Sequence, residues 1–468
     1  MLWSREAAKY RSWKEGVVHT TLNPKGPGAV RIHLIPPKWR PFGKSPYAMV
    51  LNGFYILPLG YSWAVLLSNF IREVNRYEGR PMTERDMDSV MEAAEEATRK
   101  SYRVPKQQLH EDLQEMLTML FAVARGEEPD CGIEPLSLRE YATHMTAPHR
   151  MDLMVSAMTG TDGRWNCNLR CRHCYAAGQK MAEEKELGTE QWKKIIKRLR
   201  EAGVPQITFT GGEPTLRSDL VELVEYARWF VTRLNTNGIL LTPELCRGLY
   251  EASLDSVQIT VYSWNEEIHN RLVGVEGIGA AGGFQKTMAG LKNALAADLN
   301  VSVNTPLCRD NQDYETTLEF LNGLGVRYVT CSGLIETGNA SWEGSVSTQI
   351  SVEEMGTILE RAADLCREYG MEISFTSPGR ADISLLKRLG ISVPMCGACL
   401  SNMAVAPDGS VVPCQSWLGA GSVLGNMTTD SWKKIWNNRL CVKIRSMGEE
   451  ESLYCPLRSG KSGKGGTA

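Results

Sequence analysis

Three cysteines in C-x3-C-x2-C spacing, Cys167, Cys171 and Cys174, constrain this chain more than any other feature of it. They lie in the segment GRWNCNLRCRHCYAAG, just after an apolar stretch, Met151–Met158, that reads as a strand. Thiolates are soft ligands suited to iron–sulfur clusters or zinc. Three ligands leave one iron of a [4Fe–4S] cube open to a small molecule, whereas a structural zinc site calls for a fourth ligand. His173 adjoins Cys174 and supplies that fourth ligand only awkwardly. A zinc knuckle, or a set of inert buried cysteines, is the alternative for this segment taken alone.

The whole chain fits a metal-binding role better than a disulfide scaffold. Its 13 cysteines sit in 468 residues, and secreted scaffolds that depend on disulfides are normally short. With 52 basic and 54 acidic residues the formal charge is −2, so no broad field favours nucleic acid or an anionic membrane. The start, MLWSREAAKYRSWKE, has charges every few residues and no apolar run of signal-peptide length. The stretch Ser45–Ile71 carries no charge, but Asn52-Gly53, Pro58 and Gly60 break it, which argues against a spanning helix. A cytoplasmic protein without membrane or nucleic-acid partners is expected.

Length and patterning predict several domains. Residues 1–29 read as a polar tail. Residues 30–130 read as an α+β domain, with Val30, Ile32 and Leu34 alternating, a strand-like Phe54–Leu57, and then helical periods. The first helix carries Trp63, Leu66, Leu67, Phe70 and Val74; Thr83 with Asp86 resembles a capping box for the second; Leu109, Leu113, Met116, Leu117, Leu120 and Phe121 mark the third. From 150 to 345 the rhythm is β then α, with strands at Met151–Met158, Gln206–Thr210, Val231–Asn235, Ser256–Tyr262, Asn300–Pro306 and Tyr328–Ser332. Helices at Glu190–Glu201, Pro243–Ala252 and Gly283–Ala297 separate them. Such units give a parallel sheet or an incomplete eight-fold barrel. A linker helix region at 346–395, a Cys-rich segment at 396–458 and a flexible tail at 459–468 complete the chain.

Gly211-Gly212-Glu213-Pro214 stands at the end of the second barrel strand. The glycines let backbone approach a ligand, and the glutamate reads as free to hold an ammonium. Together with Cys167, Cys171, Cys174 and Tyr175, this stretch resembles the radical S-adenosylmethionine (SAM) superfamily from about Arg164 to Glu336. The resemblance implies a partial (β/α)6 barrel in which Cys167, Cys171 and Cys174 hold a [4Fe–4S] cluster and SAM binds its open iron. It further implies contacts to SAM from Tyr175, from Gly211, Gly212, Glu213 and Pro214, from Asn235 and Asn237 on the third strand, and from Thr260 and Asn304 on the next two. This chain departs from many relatives in having Thr260-Val261-Tyr262-Ser263 and Val273 where a hydroxyl–acid turn and an arginine are common.

MCGACLSNMAVAPDGSVVPCQSW brings Cys396, Cys399 and Cys414 to the feet of a hairpin with a Pro407-Asp408-Gly409 turn. With Gly425-Asn426 and Trp436 it resembles the SPASM or twitch auxiliary-cluster extension of peptide- and protein-modifying radical SAM enzymes. That resemblance implies one auxiliary [4Fe–4S] cluster on Cys396, Cys399, Cys414 and Cys455, with Cys441 as the substitute for Cys399. A zinc site with four cysteine ligands is the alternative. The N-terminal layout resembles the winged-helix peptide-recognition domain of enzymes that modify ribosomal peptides, and a cap over the barrel is the other reading.

Cys131, Cys246, Cys308, Cys331 and Cys366 remain. Cys308 and Cys331, near strand ends, are candidates for catalysis, as are Tyr262 and His269. The expected activity is reductive cleavage of SAM to a 5′-deoxyadenosyl radical, with electrons from a low-potential donor such as flavodoxin or ferredoxin. The radical removes hydrogen from a ribosomally made peptide or small protein, leading to a thioether or carbon–carbon crosslink or another oxidation. Dehydrogenation or maturation of a small molecule or tetrapyrrole is the second expectation. A non-catalytic iron–sulfur electron carrier is the third, and the GGEP segment argues against it.

Overall fold

The computed structural model describes residues 18–22, 30–37, 46–53, 55–77, 82–101, 104–124, 127, 134–142, 144–275, 283–341 and 348–457. Cys131, Phe54 and the tail at 459–468 lie outside them. The chain divides into two compact units: Met1–His149 with Ile196–Gln206 and Ala227–Val231, and Arg150–Ile195 with Ile207–Tyr226 and Thr232–Ala468.

The first unit holds a four-stranded antiparallel sheet in the order β1 (Val18–Leu22), β2 (Val30–Ile35), β3 (Tyr47–Leu51), β4 (Tyr55–Leu59). β1 falls within the segment expected to be a polar tail. Its pairing with β2, His19 opposite His33 and Thr20 opposite Ile32, supplies ladder partners that local polarity conceals. Three helices follow at Tyr61–Val74, Glu84–Ser101 and Lys106–Ala124. The second starts with the reciprocal cap expected from its sequence: Asp86 N donates to Thr83 Oγ1 at 3.2 Å and Thr83 N to Asp86 Oδ2 at 2.8 Å. Alternate strand residues Ile32, Leu34, Met49 and Leu51 pack with Leu66, Leu67, Phe70, Leu113 and Met116 in one apolar core. The uncharged 45–71 stretch is thus half sheet and half helix, and among the described residues no helix is long and apolar enough to cross a membrane.

The second unit is built on a ten-stranded sheet ordered β11-β10-β9-β8-β7-β6-β5-β12-β13-β14. The central six are β5 (Arg150–Ser156), β6 (Gln206–Gly211), β7 (Val231–Thr236), β8 (Ser256–Thr260), β9 (Asn300–Leu307) and β10 (Tyr328–Gly333), each within two residues of its expected bounds. The pairs β7–β8, β8–β9 and β9–β10 are parallel. A further strand, β11 (Glu372–Phe375), joins β10 in parallel after the helix Val352–Tyr369. That helix has its own start and stop: Ser351 and Glu354 form a capping box, and Gly370 closes it at φ 63°. The α/β class and the partial barrel follow from this arrangement. On the other edge, β12 (Asn402–Val405) runs parallel to β5, with Asn402 opposite Arg150, and β13 (Ser410–Val412) and β14 (Gly425–Asn426) continue antiparallel.

Side-chain parity along these strands sets the interior. Leu234, Val257, Ile259, Val301, Val303 and Val329 are buried on one face of β7 to β10. The opposite parity carries Arg233, Asn235, Gln258, Thr260, Asn304, Thr330 and Ser332, all on the wall of one cavity. A sheet with a polar concave face gains its stability from the apolar convex face. Phe209, wholly buried on β6, is part of that face, so Phe209→Ala is expected to lower unfolding free energy by about 3–5 kcal/mol in denaturant titrations.

Candidate SAM and iron–sulfur site

The cysteine loop leaves β5 and is held from two sides. Arg170 N and Arg172 N donate to the carbonyls of Val273 and Leu272, at the end of the helix Glu266–Val273, at 3.1 and 2.9 Å. From the other side Asn339 N reaches Cys174 O at 2.9 Å and Asn339 Nδ2 reaches Cys171 O at 3.0 Å. Gly338, at φ 57°, is packed so closely that a Cβ would lie 2.4 Å from the Cys174 carbonyl oxygen. Burial raises the pKa of all three thiols, Cys167 to about 12. Among the described residues no three His, Cys, Asp or Glu side chains converge where a single ion could sit. Cys167, Cys171 and Cys174 instead line a shared space, as a cube of iron and sulfide requires.

Glu213 is not the free carboxylate that the sequence suggested. It is buried, and its Oε1 accepts from Thr215 N at 3.0 Å, Thr215 Oγ1 at 2.6 Å and Thr236 Oγ1 at 2.7 Å, while Oε2 accepts from Asn237 N at 2.9 Å. Four donors occupy the carboxylate and tie the loop after β6 to the loop after β7. The group facing the cysteines is the Gly212 carbonyl, which accepts from Cys167 Sγ at 3.4 Å. Burial raises the Glu213 pKa while those hydrogen bonds pull it back. Gly211, at φ 146°, allows the turn, since a Cβ there would meet Ser156 O at 2.2 Å.

A cavity of about 640 Å³ gathers most of the expected residues. Cys167, Cys171, Cys174, Tyr175, Gly211, Gly212, Glu213, Asn235, Asn237, Thr260, Tyr262, His269 and Asn304 are on its wall. Pro214 is not, being turned into the short helical turn Pro214–Leu216. Cys308 and Cys331 are also off the wall, and their candidacy as catalytic groups is corrected on that ground. Cys331 has the buried parity of β10, beside Tyr314 and Cys366, and Cys308 is wholly buried among Leu169, Leu272 and Leu334. Their thiols are pushed up, to about 12 and about 11, as expected of packed apolar cysteines. Cys246 and Cys366 are buried in the same manner. His269 is a neutral imidazole, with burial lowering it to about 4 and Nδ1 accepting from Tyr262 N at 3.3 Å.

The same cavity is lined by Cys396, Cys414 and Cys455 of the C-terminal segment. The hairpin expected there forms: Ser410 N donates to Asp408 Oδ1 at 2.9 Å, and Gly409 takes φ 88° in the turn. Cys396 N donates to Ser452 O at 2.6 Å, which brings the distant 452–455 stretch to the hairpin foot. Gln179, five residues past Cys174, joins the two cysteine segments, with Nε2 on Ser416 O and Oε1 on Leu418 N, each at 3.1 Å. Cys399 is off the wall. It is wholly buried at φ 57° and hydrogen-bonded to Cys441, whose Sγ accepts from Arg445 Nη1 at 3.4 Å. That bond and burial push Cys399 up, while Cys441 is held down by Cys399 and the nearby guanidinium. The anchors Gly338 and Asn339 and the tie Gln179 were missed from sequence, because each acts through contacts far along the chain.

Two soft-ligand sets on one cavity of a partial barrel are the arrangement expected of an iron–sulfur enzyme. The comparisons with known proteins are specific on this point. Residues 166–322 match the radical SAM superfamily, and residues 396–456 match the iron–sulfur cluster-binding domain called SPASM. The chain is a radical SAM enzyme with a SPASM domain. It is 29% identical over 287 residues to an AdoMet-dependent heme synthase of Oleidesulfovibrio alaskensis, covering 58% of this chain and 72% of that one. It is 37% identical over 147 residues to a PqqA peptide cyclase of Bradyrhizobium diazoefficiens, covering 31% and 37%. In fold it is similar to Streptococcus suis SuiB bound to precursor peptide SuiA, with TM-score 0.58, 12% identity and coverage of 86% and 88%. Its cofactors are SAM, a [4Fe–4S] cluster and an auxiliary iron–sulfur cluster.

Two variants probe the loops. Gly338→Ala is expected to lower iron occupancy of the first cluster, measured by iron content and electron paramagnetic resonance (EPR), because its Cβ displaces the Cys174 carbonyl. Glu213→Gln replaces an all-acceptor group by one with its own donors, and should weaken SAM binding about 10-fold or more in equilibrium titrations.

Proposed function

We propose that this enzyme modifies a ribosomally made peptide or small protein, using the deoxyadenosyl radical to remove hydrogen and forming a crosslink or another oxidative change. The observation that carries this reading is the first unit. It is a four-stranded antiparallel sheet with three helices and its own core, and a catalytic barrel does not need it. An edge strand offers unpaired main-chain groups, and an extended peptide gains affinity by adding to it. On β4, an edge strand of the sheet, the carbonyl of Ile56 takes a hydrogen bond from Leu136 N at 2.7 Å, so that strand accepts a main-chain donor from outside the sheet. Likeness in fold to SuiB, solved with its precursor peptide, over 86% of this chain supports the same reading.

In the site, Cys167, Cys171 and Cys174 would hold the SAM-binding cluster and Cys396, Cys414 and Cys455 the auxiliary one, with Cys399 the fourth ligand only if it leaves its hydrogen bond to Cys441. The first cluster, when bound, supplies the electron that splits SAM reductively. The Gly212 carbonyl would accept from the SAM ammonium, Asn237, Thr260 and Asn304 would offer amide and hydroxyl groups to its sugar and carboxylate, and Tyr175 would flank the adenine. The enclosing walls keep water from the radical. Tyr262, on the wall with its phenol pKa raised by burial, keeps its proton there. A flavodoxin- or ferredoxin-like donor would deliver the electrons.

A second reading, oxidation of a tetrapyrrole, is favoured by the heme synthases, 28–29% identical over 58–61% of this chain. Those matches leave about two fifths of the chain without a counterpart. The test is anaerobic turnover followed by mass spectrometry. A precursor peptide with its leader should be modified at least 10-fold faster than its leaderless core, and Ile56→Pro, which removes an edge donor, should level the two. Equal rates in the wild type, or turnover of an iron porphyrin with no peptide modified, would overturn the proposal.

A further inference from the structure

Several polar groups inside the barrel are accounted for by one another. Asp152 and Arg150 on β5 form a two-pronged ion pair, Nε to Oδ1 at 2.9 Å and Nη2 to Oδ2 at 3.4 Å. Thr330 Oγ1 donates to Asn304 Oδ1 at 2.9 Å, and Gln258 Nε2 to Thr330 Oγ1 at 3.3 Å. Arg233 is not among them. It lies on the cavity wall, largely enclosed, and among the described residues no hydrogen bond or ion pair reaches its guanidinium. Among the described residues the carboxylate that acts on Arg233, Asp152, is already committed to Arg150, and Glu213 on the same wall is taken up by Thr215, Thr236 and Asn237.

Burial together with the like charge of Arg150 disfavours the charged form of Arg233, and a guanidinium so placed calls for a partner. Packing alone would be served better by an apolar residue. The placement is specific. Arg233 opposes Ser256 in the first pair of the β7–β8 ladder, at the end where β5 and β12 begin. It is two pleats below Asn237 and so set back from the loops that face the SAM cysteines. Asn235, between them on the same face, adds an amide whose hydrogen-bonding groups are likewise unclaimed among the described residues.

We propose that Arg233, with Asn235 beside it, is a substrate site that binds one carboxylate at the inner end of the barrel cavity. A guanidinium fork matches a carboxylate with two parallel hydrogen bonds, and a carboxylate there gives the unpartnered guanidinium its counter-charge. The carboxylate can come from an acidic side chain or C-terminus of a peptide, or from a propionate of a tetrapyrrole, so the inference does not depend on the peptide reading above. It fixes which way substrate enters: an acidic group leads, and the carbon that reacts trails toward the SAM end.

The experiment uses the holoenzyme with both clusters and SAM, and two probe pairs measured by calorimetry. One pair is a C-terminally amidated hexapeptide containing a single Glu and the same amidated peptide with Gln; the other is coproporphyrin III and its tetramethyl ester. In the wild type the anionic member of at least one pair should bind about 10-fold or more tighter than the neutral one, the size of one charge-assisted pair. In Arg233→Gln that preference should fall below threefold, and Arg233→Lys should restore part of it. Preference for the porphyrin pair alone would keep the carboxylate site and discard the peptide substrate. Equal binding of charged and neutral probes by the wild type would overturn the inference. So would a preference unchanged in Arg233→Gln, or loss in that variant of auxiliary iron or of SAM affinity, which would make Arg233 a counter-charge for a cofactor.

Discussion

The structure depends on one consequence of strand geometry: successive side chains alternate between faces, and here the two parities have opposite polarity. On β7 to β10 the apolar parity packs outward and the polar parity faces in. A barrel of this kind cannot fill itself with side chains as a small closed barrel does. It must instead be tied at its rim, and the buried carboxylate of Glu213 is the principal tie. By taking four hydrogen bonds from Thr215, Thr236 and Asn237 it fixes the loops after β6 and β7, and it leaves the Gly212 carbonyl to face the cysteine loop.

The second consequence is that one cavity serves both cysteine sets. β12 adds to β5 in parallel, so the hairpin that carries Cys396 and Cys414 extends the same sheet. Gln179 then couples the segment after Cys174 to the segment after Cys414 through two backbone contacts. On the proposed reading, substrate held between the sets would lose hydrogen to the radical at one end and an electron to the auxiliary cluster at the other. A site for a leading carboxylate at Arg233 would keep its orientation constant during both events.

Much of this was legible in the sequence, and the reason is locality. The six central strands, the helix Val352–Tyr369 and the Pro407-Asp408-Gly409 turn are set by periodicity, caps and turn chemistry within a few residues. The ligand cysteines were legible through their spacing. What escaped depends on distant partners. β1 is polar and forms because β2 offers a ladder, and Gly338 and Asn339 matter only because they rest on the carbonyls of Cys171 and Cys174. Glu213 read as a free acid because its donors are 23 and 24 residues away in Thr236 and Asn237. Cys308 and Cys331 looked catalytic by position along the chain, and side-chain parity at Cys331 and apolar packing around Cys308 remove both.

The central claim is that two iron–sulfur clusters open on a single cavity, one on each cysteine set. Anomalous diffraction from anaerobically grown crystals, recorded at the iron and zinc absorption edges, tests it most directly. The account predicts strong iron signal at Cys167, Cys171 and Cys174 and again at Cys396, Cys414 and Cys455, with no side chain closing the space between them. Zinc at the C-terminal cysteines, or iron at the first set alone, would contradict it.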